Sequence, residues 1–103
     1  MDLQKLRGFY WTAHGGSVTA AARKLHLSQS AVSHQLKALE EELGARLYTR
    51  SRRGIVLTPE GELLLRYASV VVQALADLQE EFDDLRGRPR GTVRLAAFRG
   101  VTA

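Results

Sequence analysis

The chain has 103 residues, 45% of them hydrophobic and 25% charged, with a net charge of +4 and no cysteine. That suffices for one small core plus an extension, and the absence of cysteine excludes disulfides, thiolate zinc sites and cysteine nucleophiles together. No apolar run reaches membrane-spanning length and Met1-Asp-Leu-Gln-Lys-Leu-Arg7 has no signal-peptide core, so a cytoplasmic protein with no membrane partner is expected.

Charge is distributed unevenly. Residues 1–58 carry nine Lys/Arg against four Asp/Glu, a balance of +5; residues 59–86 carry two against seven, −5; residues 87–103 carry four against none, +4. A basic head attracts a polyanion by counterion release, whereas the acidic middle is repelled by one. Two solvated surfaces would give the same totals, so charge alone does not decide.

Leu3, Leu6, Tyr10 and Ala13 recur at three-to-four spacing, which predicts a first helix over residues 3–14 stopped by Gly15-Gly16. Ser17 is a good N-cap for a second helix that turns Val18, Ala21, Ala22 and Leu25 inward and ends near His26. Ser28 caps a third, which runs to Gly44. The stretch from Ala20 to Lys37 therefore reads as a helix-turn-helix, with Ala22 small enough for a close crossing. Val32, Leu36 and Leu39 form the core stripe of the third helix, while Ser30, Ser33, His34 and Lys37 lie opposite, with Gln29 beside them at its start. These side chains can hydrogen-bond base edges or phosphates, so the expected partner is double-stranded DNA. Ser28 spends its hydroxyl on the cap, yet the amides exposed there can also meet a phosphate.

Two short apolar segments flank a polar tip between Leu47 and Leu57, a hairpin signal. Thr58-Pro-Glu60 then supplies an N-cap, a proline at the first helical position and an acid in the first turn. The long helix that follows carries Leu64, Ala68, Val71, Leu75, Leu78, Phe82 and Leu85 at alternating four- and three-residue spacing. That heptad seam predicts pairing with a second copy, packing onto its own domain being the alternative. Gly61, in the first turn, permits close approach to the head. Arg86-Gly-Arg-Pro-Arg-Gly91 ends the helix, and Thr92–Phe98 reads as a strand opening a further domain.

Other chemistry finds little support. His14, His26 and His34 fall on three elements without ligand spacing; no metal or other cofactor is expected. Glu40, Glu41 and Glu42 are consecutive, which keeps them from pairing on one helical face for acid–base work. With no nucleophile elbow, phosphate loop or dinucleotide fingerprint, no enzyme is expected. Tyr10 and Trp11 are assigned to helix packing.

Taken together, Ala20-Ala-Ala-Arg-Lys-Leu-His-Leu-Ser-Gln-Ser-Ala-Val-Ser33, Leu36 to Leu39-Glu-Glu-Glu-Leu-Gly44, Leu47-Tyr-Thr-Arg50 and Leu57-Thr-Pro-Glu-Gly61 resemble the N-terminal part of a LysR-type transcriptional regulator. The resemblance covers essentially the whole chain. It implies a mainly α fold: a winged helix-turn-helix of three helices and a two-stranded wing over 1–58, a dimerising linker helix over 59–86, and over 87–103 a hinge and first strand of an effector-binding domain. Gln29, Ser30 and Ser33 fall on the family's recognition-helix positions, and His34 stands where the family more often has arginine. Arg50, Arg52 and Arg53 match a wing that lies along the minor groove, and Thr58 opens the linker helix near the phosphates. A homodimer, a tetramer in the full-length protein, and a small-molecule inducer bound by the missing C-terminal domain are implied as well. Two other readings stay open: a coiled-coil assembly module, and a nucleoid architectural protein binding without sequence preference.

Overall fold

A computed structural model describes residues 1–87; the expected strand and most of the hinge lie outside the described residues. In chain order the elements are α1 (Leu3–Gly15), α2 (Val18–Leu25), α3 (Gln29–Leu43), β1 (Tyr48–Ser51), β2 (Gly54–Leu57) and α4 (Pro59–Leu85). The chain forms two compact units, Met1–Gln73 and Ala74–Ala103, with α4 contributing to both. Among the described residues no helix is long and apolar enough to cross a membrane.

Each helix of the first unit starts where a short polar side chain can accept an orphan amide. The Asp2 carboxylate accepts the Lys5 amide, and the Ser17 and Ser28 hydroxyls accept those of Ala20 and Ala31. The stops are left-handed: Gly16 ends α1, His26 ends α2 and Gly44 ends α3. His26 pays the usual strain of a non-glycine residue there with φ 59°, and its amide reaches the carbonyls of Ala22 and Arg23.

Phe9 from α1, Val18, Ala21 and Ala22 from α2, Val32, Leu36 and Leu39 from α3, Leu47, and Ala68 from α4 form the core. The α3 stripe is fully buried, as its spacing predicts. The first helix differs from expectation. Its buried face is Gly8, Phe9 and Thr12, while Leu3 is exposed and Leu6 and Tyr10 only flank the core. Thr12 is admitted because its hydroxyl donates to the Gly8 carbonyl at 2.7 Å, which satisfies its polar atom without water. Tyr10 and Trp11 meet edge to face with centroids 4.9 Å apart, and the Lys24 ammonium sits 4.6 Å from the Trp11 ring.

The hairpin pairs antiparallel, Tyr48 with Leu57, Thr49 with Val56, Arg50 with Ile55 and Ser51 with Gly54. Its open end is tied down at Leu47. The Leu47 amide donates to the Glu40 carboxylate at 2.8 Å, and its carbonyl accepts the Thr58 amide at 3.0 Å. Gly61 rests on the same carbonyl, close enough that a β-carbon there would fall 1.9 Å from the oxygen. A glycine is thus required for the first turn of α4 to lie on the head. Gly61→Ala should force backbone apart and cost on the order of 3 kcal/mol, lowering the melting temperature by roughly 10 °C or more; an unchanged melting curve would show that α4 does not rest on Leu47.

Across the other end of the bundle the Lys5 ammonium donates to the Glu42 carboxylate, joining α1 to α3, and the Met1 amino group lies 2.8 Å from the same carboxylate. The hydrogen bond from Lys5, then that from the amino group, holds Glu42 below the ordinary value of 4.5; the bond to Glu42 raises Lys5 above 10.5. A depressed acid stabilises the fold above its ordinary pKa and loses that contribution as pH falls through the depressed value; a raised base loses its own contribution as pH rises through the raised one. Glu42→Gln should therefore melt below the wild type at every pH between 4.5 and 10.5, with the two curves converging in stronger acid. Melting curves that coincide at neutral pH would remove the pair as a stabilising contact.

Candidate nucleic-acid interface

The outer face of α3 follows from its buried one. Because Val32, Leu36 and Leu39 point fully inward, Gln29, Ser30, His34 and Lys37 are exposed, with Ser33 half-buried between them. Ser28 accepts the Ala31 amide at 3.0 Å and keeps its own hydroxyl proton for another partner. No acidic residue lies in the first turn of α3, so the positive end of the helix dipole faces outward without a local counter-charge.

The wing stands beside this face. A groove between the C-terminal half of α3 and the foot of the hairpin is lined by Ser33, Lys37, Glu40, Glu41, Gly44, Ala45, Arg46 and Tyr48, so α3 and the start of β1 share one surface. At the tip the Ser51 hydroxyl accepts the Arg53 amide at 3.1 Å and donates to the Gly54 carbonyl at 3.4 Å, which orders the turn. Arg50, Arg52 and Arg53 are exposed and make no ion pair among the described residues. Arg46 is a further basic residue of this surface. It is exposed in the groove, 3.6 Å from the Glu40 carboxylate, and the signal that could have found it is a lone base between the stop of α3 and the start of β1.

Two groups of expected site residues are placed differently. Thr58 is a cap: its hydroxyl donates to the Arg46 carbonyl at 2.6 Å and accepts the Gly61 amide at 3.0 Å, so its one proton is spent inside the fold and it has none for a phosphate. On α4, Ala68 is fully buried in the head's own core and Leu64 packs against that core. Both therefore pack within the first unit itself. In that unit Leu63, Tyr67, Val70 and Val71 are the exposed apolar residues of α4, and only Val71 belongs to the expected seam. In the second unit Leu78, Phe82 and Leu85 are exposed and Leu75 is half-buried, in keeping with the heptad. There Asp83 accepts the Gln79 amide at 3.2 Å and lies 3.6 Å from Arg86.

The histidines are dispersed. His14 stacks on Tyr10 with centroids 4.3 Å apart, His26 caps α2, and His34 is exposed on α3.

Comparison with known proteins agrees with this architecture. The family model described as "Bacterial regulatory helix-turn-helix protein, lysR family" matches residues 3–62. A RuBisCO operon transcriptional regulator of Allochromatium vinosum is 40% identical over 96 residues, covering 93% of this chain and 32% of its own length. The HTH-type transcriptional regulator PtxR of Pseudomonas aeruginosa is 40% identical over 97 residues, covering 94% and 31%. The chain thus spans about a third of the length of these relatives. Among solved structures, a BenM DBD/catB site 1 DNA complex matches with TM-score 0.73 and 34% identity over 84% of this chain and 97% of that one. CbnR, a LysR family transcriptional regulator, matches with TM-score 0.71 and 36% identity over 79% and 28%. With its helix-turn-helix, its wing and the match over residues 3–62, the chain belongs to the LysR family of bacterial regulatory helix-turn-helix proteins.

Proposed function

We propose that this chain is the DNA-reading part of a cytoplasmic transcriptional regulator, a binding protein and not an enzyme, which engages double-stranded DNA as a dimer. The observation that carries the reading is the exposed polar face of α3, whose Ser33 and Lys37 share a groove with Tyr48 at the foot of a hairpin that carries three exposed arginines. An α-helix fits the major groove, where Gln29, Ser30 and Ser33, with His34 and Lys37, can hydrogen-bond base edges and adjacent phosphates. The exposed amides at Ser28 suit a phosphate. Arg50, Arg52 and Arg53 suit the flanking minor groove and its phosphates. The family match and the similarity to a BenM DBD/catB site 1 DNA complex support the same reading.

Base readout by Gln29 is tested by Gln29→Ala, which should lose about 1–3 kcal/mol on a duplex selected from a random pool and much less on random DNA, with the fold intact. Equal losses on both would point to contact without sequence preference.

Dimerisation is assigned to exposed apolar residues of α4, with Phe82 near the middle of the stretch Leu78–Leu85. A glutamate there would place an unpaired charge in the interface, so Phe82→Glu should leave monomers at micromolar concentration. Sedimentation that returns the wild-type dimer mass for this variant would remove that stretch from the interface.

A further inference from the structure

Next to the tip of the wing, the start of β2 touches the corner that follows α1. A β-carbon on Gly54, the first residue of β2, would fall 2.6 Å from the carbonyl oxygen of Gly16, and the Ile55 amide donates to that same oxygen at 3.2 Å. Gly54 also has φ +108°, a conformation that side chains rarely adopt. Close approach and backbone conformation therefore each demand glycine. The oxygen it meets is itself fixed, because Gly16 is the left-handed cap of α1, with its amide on the Thr12 carbonyl at 2.9 Å, and the next residue caps α2.

A two-stranded hairpin alone is marginal in water and needs support from outside. At its open end this one is held through Leu47, and next to its tip through Gly16. Arg53 immediately precedes Gly54, so the Gly16 contact is the nearest fixed point to the tip arginines. Without it the hairpin can pivot about its foot, and the guanidinium groups keep their charge but lose their fixed offset from α3. We propose that the Gly16–Gly54–Ile55 contact is a positioning device that sets where Arg52 and Arg53 meet the DNA flanking the recognition helix. This rests on the DNA-binding reading above.

The test is a mutant cycle on the full 103-residue chain, with affinity for a selected duplex measured at several salt concentrations. It compares wild type, Gly54→Ala, the pair Arg52→Ala plus Arg53→Ala, and all three changes together. Each phosphate neutralised contributes about 0.9 to the slope of log K against log salt, so Gly54→Ala should flatten that slope by up to about two per subunit, as the arginine pair does. In the background lacking both arginines, Gly54→Ala should change affinity by less than about twofold. An equal loss in both backgrounds, or an unchanged slope in Gly54→Ala alone, overturns the positioning role. If Gly54→Ala fails to fold, Ile55 replaced by its α-hydroxy acid removes the amide donor without adding an atom, and the same cycle is read on that chain. A wild-type chain that binds no duplex above background would overturn the DNA-binding reading itself, an outcome distinct from the others.

Discussion

The peptide group of Leu47 is the constraint on which the placement of the interface depends. Its side chain is buried in the core, its amide is held by the Glu40 carboxylate from α3, and its carbonyl takes the Thr58 amide and the close approach of Gly61. One residue thereby joins the recognition helix, the foot of the wing and the start of α4. A buried amide and carbonyl left without partners would each cost about 1–3 kcal/mol. The Glu40 carboxylate and the Thr58 amide therefore stabilise the junction and also select its geometry.

Electrostatics act on the frame so built. Three of the head's four acids are engaged within it: Asp2 and Glu42 with Lys5, and Glu40 with Arg46. Such exposed pairs contribute little to stability individually. Their larger effect is on the external field, because they leave Lys37 and the wing arginines without carboxylate partners among the described residues. Lys37 and Arg46 thus lie with Glu41 in the groove beside α3, while the exposed arginines of the wing keep their charge available for counterion release by a polyanion.

Local chemistry made much of this legible in the sequence. Ser17, Ser28 and Thr58-Pro59 mark helix starts because side-chain oxygens and a proline suit orphan amides, and the stripe Val32, Leu36, Leu39 defines both faces of α3. The core face of α1 was not legible, because Leu3, Leu6, Tyr10 and Ala13 form a second helical stripe beside Phe9, and only the bond that Thr12 donates to its own helix lets it be buried next to Phe9. Leu64 and Ala68 show a related ambiguity. A helix with apolar residues on more than one face satisfies a heptad and an intramolecular core at once, and spacing does not say which face meets which neighbour.

Contacts between backbone atoms are harder still to read. Gly61 on Leu47 and Gly54 on Gly16 join segments 14 and 38 residues apart through atoms common to every residue type, leaving only an unexplained glycine as their trace. In the positioning role proposed above, these approaches decide where the variable side chains end up. The caps and the apolar stripe of α3 specify that a polar helical face and a basic tip exist, while the glycine contacts specify how far apart they lie. For a partner with the fixed repeat of duplex DNA, that offset is as much a part of recognition as the side chains themselves.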